Sequence, residues 1–254
     1  MTLGSLLSLF GFSLLLAKVV LTATVSNISL KTLEAYALVF IARLSSVLFY
    51  EGYLPFDRSG DWWYQAQEVA GLVMTLILIV AMTVVYPRKY SKALDRFTAP
   101  GLPEVAGVAV LVVPAAILAA AFHPSLNNNW FTDTAWAFAL YLEAIAIYPQ
   151  LHIFYSAPPG GEAVPEPEVF EVNFVFSLAI GRLCHFVFWL SSYQELNDRA
   201  SDMLGKKFPG HLVVLSQVRK ERGRGEQTSS DGMDFSNTPS PPPPTPDCQY
   251  SPPL

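Results

Sequence analysis

Histidine and cysteine are scarce in this chain of 254 residues, which contains four histidines and two cysteines. Cys184 lies in a long apolar run and Cys248 in a polar C-terminal segment, so a structural disulfide between them is not expected. The scattered histidines predict no metal site, and the sequence contains no phosphate-binding glycine loop, metalloprotease motif or nucleophile elbow. We therefore expect neither a cofactor nor an enzyme, because no activated nucleophile or metal-bound water can be assembled from these residues.

Charge is also sparse. Only 15% of the residues are charged and 52% are hydrophobic, whereas a soluble domain usually has about 25% charged residues. The basic residues form no stripe interleaved with aromatics, so a nucleic-acid partner is not expected. The apolar residues instead form long runs, and a helix that crosses a bilayer core of roughly 30 Å needs about 20 of them. The composition therefore predicts an all-α integral membrane protein embedded in a lipid bilayer.

Six apolar segments have the length of a membrane span, at residues 2–26, 32–50, 67–86, 104–123, 132–155 and 169–192. The first has no basic start and no clear cleavage site, so we interpret it as a retained span rather than a signal peptide. A shorter apolar run at 210–218 predicts an incomplete seventh span, because nine helical residues reach only about 14 Å. We therefore expect a membrane domain over 1–218 and a disordered, proline-rich tail over 219–254.

The distribution of lysine and arginine between the loops predicts the orientation in the membrane. If the N-terminus is lumenal, nine basic residues fall on the cytosolic side: Lys31, Arg88, Lys89, Lys92, Arg96, Arg219, Lys220, Arg222 and Arg224. Four fall on the lumenal side: Arg58, Arg199, Lys206 and Lys207. Because cytosolic loops usually carry the excess of basic residues, this distribution favours a lumenal N-terminus.

Arg43, Glu143 and Arg182 are ionisable residues that all lie within predicted spans. A charge at the bilayer centre costs about 2.5–3.5 kcal/mol, so such residues face the bundle interior and tend to pair. One interpretation is structural: Glu143 and Arg182 form a buried ion pair that fixes the helix register of a membrane scaffold. The other is functional: both arginines line a polar cavity that receives an anion, and Glu143 balances or gates them. Two arginines against one central carboxylate predict a surplus positive charge, which favours a carboxylate ligand.

The fifth predicted span, which contains "YLEAIAIYPQL" at 141–151, carries further candidate residues. Trp136 and Asp133 lie seven and ten residues before Glu143, which places them near its helical face. An acid beside an indole suits a ligand ammonium, although interfacial anchoring explains the tryptophan equally well. Pro149 predicts a kink or hinge, and Gln150 is placed to hydrogen-bond the backbone groups that the proline frees.

Several stretches carry a family resemblance. "LVVPAAILAAAFH" (111–123) and "WAFALYLEAIAIYPQL" (136–151) resemble the fourth and fifth spans of the ER lumen protein-retaining receptors, or KDEL receptors. "NISLKT" (27–32) and "VFIAR" (39–43) resemble that family's first loop and second span, and "SLAIGRLCHFVFW" (177–189) resembles its sixth span. The resemblance implies a seven-helix bundle of the PQ-loop and sugar-efflux type, in which a linker helix joins two three-helix units.

The resemblance also implies a function. Receptors of this family capture the C-terminal tetrapeptide of escaped ER proteins in the acidic Golgi and release it in the neutral ER. The implied partners are this tetrapeptide and, on the cytosolic side, vesicle coat machinery, and the implied location is the ER and Golgi membranes. Arg43 matches the arginine that holds the signal's carboxylate terminus. Asp133 and Trp136 match the pair that meets the signal's first residue, and Trp189 matches an aromatic at the cavity mouth.

The resemblance assigns the switch as well. Glu143 and Arg182 match an intramembrane pair tied to protonation. The family's first-span histidine aligns with Ser8, so we expect His185, on nearly the same helical face as Arg182, to sense pH in its place. Glu143 is the rival candidate. The sequence departs from the family's pattern at further positions: Met1, Ser46, Gly181 and Ser192.

Two other functions stay open. The same architecture would serve a PQ-loop-like transporter of a small solute, and a relative of the receptors could have lost the ability to bind the signal. Arg43, together with a subsite of Asp133 and Trp136, favours a zwitterionic peptide over a neutral sugar.

Overall fold

The computed structural model describes residues 2–50, 61–98, 103–126, 129–155 and 166–191. Within these ranges the chain is helical and contains no β-strand. The helices are α1 (Thr2–Thr22), α2 (Leu30–Val47), α3 (Asp61–Val80, continued by a π-helical turn Ala81–Val85), α4 (Ala109–Ala121, preceded by a 3₁₀ turn Glu104–Val108), α5 (Trp130–Ile145), α6 (Tyr148–Tyr155) and α7 (Val169–Ser191).

Four helical segments of the described part are long and apolar enough to cross a membrane: Thr2–Thr22, Trp62–Val85, Trp130–Tyr155 and Val169–Ser191. A fifth apolar helix, Ala106–Ala121, is shorter. Helix α2 has 18 residues but carries Lys31, Glu34 and Arg43, so it is less apolar than its neighbours. This architecture confirms the prediction of a multi-pass, all-helical membrane protein. The predicted seventh span at 210–218 and the tail at 219–254 lie outside the described residues.

Side-chain caps fix where two of the helices begin. Ser29 precedes α2 in an extended conformation, and its hydroxyl accepts a hydrogen bond from the backbone N–H of Thr32. Asn129 precedes α5 in the same way and accepts from the backbone N–H groups of Phe131 and Thr132. Each cap satisfies amide donors that a helix start otherwise leaves unbonded.

An aromatic contact joins three helices at the centre of the core. The ring of Phe12 lies 5.2 Å from Tyr36, 5.7 Å from Phe40 and 5.3 Å from Phe174, each in an edge-to-face arrangement. These contacts connect α1, α2 and α7. Helix α1 packs mainly on α7 and α3, α2 packs on α5 and α3, and α4 packs on α5.

Helices α5 and α6 are separated by a turn at residues 146–147, directly before the Pro149 that predicted a kink. The predicted hydrogen-bond partners of Gln150 were wrong. Its side chain does not bond the backbone of its own helix: its amide nitrogen donates to the carbonyl of Asn27 (2.7 Å), and its oxygen accepts from the N–H of Ser29 (2.9 Å). The loop between α1 and α2 packs against the start of α6 and supplies these two partners.

Candidate functional site

Four charged side chains from four helices meet inside the bundle, and we call them the central ion cluster: Arg43 of α2, Glu68 of α3, Glu143 of α5 and Arg182 of α7. The guanidinium of Arg43 donates to Glu68 at 2.9 Å and also pairs directly with Glu143. Arg182 reaches the same Glu143 oxygen at 3.2 Å. The two carboxylates and Arg43 are buried. The cluster therefore balances two positive charges against two negative ones.

The predicted surplus of positive charge was wrong, because Glu68 was not recognised as part of the site. The predicted third span began at residue 67, which placed Glu68 at a span end where a charge is ordinary. The helix actually begins at Asp61. Glu68 therefore lies about two turns inside it and is only 7% exposed. The stretch "WWYQAQEVAG" (62–71) held the signal, since it can be read as a helix that starts before its first tryptophan.

A small cavity, with room for about one water molecule, lies beside the central ion cluster. Arg43, Glu68 and Glu143 line it, together with Gln67 and His185. The hydroxyls of Ser5 and Ser8 on α1 complete its polar wall. Arg43 thus faces a cavity, as the sequence indicated for an anion-binding arginine, but this cavity is closed to anything as large as a peptide.

His185 is brought to this cavity by close packing between α1 and α7. A Cβ atom added to Gly4 would come within 2.6 Å of the His185 imidazole, and one added to Gly181 would come within 2.8 Å of the Gly4 carbonyl. Both positions therefore require glycine at this distance between the helices. Ser8 lines the same cavity as His185. The predicted switch residue and the serine that takes the place of the family's histidine therefore lie at one site.

The other predicted signal-binding residues lie near the end of α2, outside the cavity lining. Trp136 of α5 packs edge-to-face on Trp189 of α7, with ring centroids 5.8 Å apart, and both are buried with Val47. Asp133 is 1% exposed and accepts a hydrogen bond from the N–H of Leu126 at 3.3 Å. We call these four residues the aromatic cluster. Arg43 and Val47 are one helical turn apart on α2, so the cavity and this cluster are neighbours along one helix.

A second polar network lies at the opposite end of α2. Of its residues, the sequence had indicated only Gln150 and the stretch 27–32. We call it the loop network, and it consists of Asn27, Ser29, Thr32, Tyr90, Asp95 and Gln150. The Asp95 carboxylate accepts from the hydroxyls of Ser29 (2.9 Å) and Tyr90 (2.8 Å) and from the N–H of Leu30 (2.9 Å). Burial, and next the negative charge of Asp95, raise the pKa of Tyr90, so its hydroxyl stays protonated and donates.

A buried lysine fastens the same end of the bundle. Lys18 of α1 is fully buried, pairs directly with Glu171 of α7, and lies 3.2 Å from Glu168. It also donates to the carbonyl of Ser26 at 2.9 Å. The predicted spans include both Lys18 and Glu171, but no pattern in the sequence indicated that the two would meet. The pair joins α1 to α7 about four turns along α1 from the Gly4 contact.

These observations define a polytopic helical membrane protein with a buried, charge-balanced ion cluster beside a small polar cavity. Comparison with known sequences gives the family. The family model described as "ER lumen protein retaining receptor" matches residues 24–192, and the chain belongs to this family. The match covers α2 to α7 and therefore includes the central ion cluster, the aromatic cluster and the whole loop network.

Individual relatives agree with the family model. The chain is 28% identical to ER lumen protein-retaining receptor erd-2.2 of Caenorhabditis elegans, over 73% of this chain and 74% of the relative. It is 25% identical to the ER lumen protein-retaining receptor of Saccharomyces cerevisiae, over 84% of this chain and 87% of the relative. It is 28% identical to ER lumen protein-retaining receptor 3 of Mus musculus, over 77% of this chain and 78% of the relative.

Proposed function

We propose that this protein is a receptor that binds the C-terminal retention signal of ER lumenal proteins and retrieves them from the Golgi to the ER. Membership of the receptor family supports this function. The observation that carries it is the position of Arg43, a buried guanidinium beside a polar cavity at the centre of the bundle. A guanidinium in such a place binds a carboxylate through short, charge-assisted hydrogen bonds.

The remaining residues take parts that fit this proposal. The aromatic cluster lies where α2 and α7 end and α5 begins, which is the lumenal end if the N-terminus is lumenal. Asp133 and Trp136 then meet the first residue of the signal, and Trp189 forms the mouth of the site. The carboxylate terminus reaches one turn deeper, to Arg43. The loop network faces the cytosol, the side on which vesicle coat machinery acts.

Binding on this proposal requires the helices to move. The cavity beside Arg43 holds about one water molecule, whereas a tetrapeptide needs far more room. The turn at residues 146–147 divides the long apolar segment Trp130–Tyr155 next to Pro149. A helix interrupted at such a point can change its direction at low cost, because fewer backbone hydrogen bonds must break. Pro149 and Gln150 therefore mark the hinge that we propose for opening the site.

The test is direct titration of the full-length protein, reconstituted in lipid nanodiscs, with a Lys-Asp-Glu-Leu peptide. The peptide is used as the free acid and with an amidated C-terminus, at about pH 5.5 and about pH 7.4. We expect the free acid to bind at the lower pH and more weakly at the higher pH, and the amidated peptide to bind poorly at both. Absence of binding at both pH values would contradict the receptor function and leave a transporter or scaffold.

A further inference from the structure

The guanidinium of Arg43 is already engaged from two sides. Glu68 accepts one hydrogen bond at 2.9 Å and Glu143 forms a direct ion pair with the opposite nitrogen. A bidentate contact with an incoming carboxylate uses at least one of these two terminal nitrogens. The structure therefore shows an arginine whose positive charge is neutralised by the protein itself, and a ligand carboxylate must compete for it.

The two carboxylates are not held equally. Glu143 receives Arg43 and Arg182 on the same oxygen, from α2 and α7. Glu68 contacts Arg43 through one oxygen, and its other oxygen is buried with no hydrogen-bond partner among the described residues. Breaking the Glu68 contact therefore costs one charged hydrogen bond, while breaking the Glu143 contacts disturbs two arginines. Glu68 is the carboxylate that is easier to displace.

The surroundings of Glu68 offer it an alternative position. The neighbouring Gln67 is 4% exposed, and within the described part neither its amide nitrogen nor its amide oxygen has a hydrogen-bond partner. Gln67 and Glu68 line the same cavity as the hydroxyls of Ser5 and Ser8. Buried polar atoms without partners are costly, so a rearrangement that brings Glu68 and Gln67 together at this cavity gains hydrogen bonds.

We propose that Glu68 is a specificity-determining residue of the signal site: an internal carboxylate that occupies Arg43 until a ligand carboxylate displaces it towards the cavity. The proposal rests on the receptor function proposed above. When the ligand carboxylate takes Arg43, Glu68 needs new donors, which the Gln67 amide, the Ser5 hydroxyl and the N–H groups of a bound peptide can supply. The Ser8 hydroxyl already donates to the Gly4 carbonyl at 3.1 Å. Glu68 thereby lowers the affinity for simple carboxylates and favours a peptide, which brings donors together with its terminus.

The experiment compares the same substitution at the two carboxylates that contact Arg43. Glu68→Gln keeps the side-chain shape and removes the competing charge, so the free-acid Lys-Asp-Glu-Leu peptide should bind about tenfold tighter than to the wild type. Glu143→Gln, the matched control, should not tighten binding, because Glu143 orients both arginines. The amidated peptide should gain nothing from either variant. Acetate, which brings no donors, should compete with the peptide more strongly in Glu68→Gln than in the wild type.

Each outcome decides between the ideas. Equal affinity of wild type and Glu68→Gln would overturn the role of Glu68 while leaving the receptor function intact. Equal tightening by both glutamine variants would also overturn it, since the effect would then be one of general charge. If neither protein binds the peptide, the receptor function itself fails, and the role of Glu68 with it. Thermal unfolding of each variant shows whether it is folded. If Glu68→Gln is not, Glu68→Asp takes its place. Its side chain is one methylene shorter and contacts Arg43 less well, so it should tighten binding by a smaller factor.

Discussion

Helix α2 has a polar network at each end, and the two networks differ in how completely their atoms are bonded. At its start, the Asp95 carboxylate accepts hydrogen bonds on both oxygens, and both ends of the Gln150 amide are bonded to backbone groups. Near its other end, both terminal nitrogens of Arg43 are bonded to carboxylates. However, one oxygen of Glu68 and both polar atoms of Gln67 lack partners among the described residues. A small cavity accompanies the second of these arrangements.

This difference indicates that the loop network joins helices, whereas the central ion cluster can rearrange. A buried group without a partner costs about 1–3 kcal/mol relative to a bonded one, so these groups gain from any rearrangement that supplies a partner. The loop network has little to gain from rearranging, because its donors and acceptors already match. The central ion cluster can exchange partners at modest cost. We therefore expect the bundle to pivot about the fixed loop network while the other end of α2 opens.

The largest effect that we expect comes from breaking the central ion cluster itself. Glu143→Gln or Arg182→Met alone should lower the free energy of unfolding by about 3–5 kcal/mol, because each leaves a buried charge poorly compensated. The double variant should cost less than the sum of the two, since the residues act as a pair. Chemical unfolding in detergent micelles measures all four proteins of this cycle.

The matched control for this cycle pairs Glu143→Gln with Asp95→Asn. These residues belong to different networks, so their effects should add within about 0.5 kcal/mol. Simple additivity of Glu143 and Arg182 would instead show that their 3.2 Å contact carries no coupling. The proposal that the central ion cluster acts as one coupled unit, separate from the loop network, would then be wrong.

How far the sequence could predict this arrangement depended on the kind of signal. The apolar runs predicted an all-helical membrane protein, because hydrocarbon thickness imposes one length on every span. The charges of Arg43, Glu143 and Arg182 stood out against apolar neighbours, and the structure brings these three together. The reason is general, since a charge inside a span must find a partner.

Other parts of the site could not be read from the sequence. Glu68 was missed because its distance from the helix start depends on where α3 begins, and span ends are uncertain by about a turn. Asp95 was missed because it lies in a polar loop, where one carboxylate resembles any other. Its contacts to residues 29 and 30 join positions far apart in the chain, and no local pattern records such a contact. The position of Gln150 was clear, but its partners were not.

The same substitution, made in the network beside each end of α2, tests the comparison at a smaller scale. Gln150 and Gln67 are both buried, but only Gln150 has bonded polar atoms in the described part. Gln150→Leu should lower the free energy of unfolding by about 2 kcal/mol, because it leaves buried backbone groups of Asn27 and Ser29 unbonded. Gln67→Leu should change it by less than about 1 kcal/mol or stabilise the protein, since it removes unsatisfied atoms.

The same unfolding measurement tests both glutamine variants, and peptide titration adds a second readout. Gln67→Leu should weaken binding of the free-acid peptide if Gln67 receives the displaced Glu68. A large loss of stability in Gln67→Leu would mean that its amide is bonded after all. The contrast between the two ends of α2 would then be wrong.

The smallest effect concerns pH and depends on His185. Its imidazole lines the cavity with Glu68, Glu143 and Arg43, and Arg182 lies one turn before it on α7. Protonation in acid would offer the two carboxylates another cation and so weaken their hold on Arg43, which frees the arginine for the ligand. We expect a modest effect, because the central ion cluster is already charge-balanced without His185. His185→Phe should weaken binding of the free-acid peptide at about pH 5.5 by about threefold, or about 0.7 kcal/mol, with little change at about pH 7.4.

A second variant separates charge from packing at this position. His185→Asn keeps a polar side chain against Gly4 but cannot be protonated, so it should flatten the pH dependence as His185→Phe does. Titrations of the three proteins at both pH values give the ratio of affinities directly. If both variants keep the full wild-type ratio, His185 is not the sensor, and the carboxylate of Glu143 is the group to test next. If the ratio falls only in the phenylalanine variant, the effect is one of packing between α1 and α7. A fall in both variants means that His185 is the titrating group at this cavity.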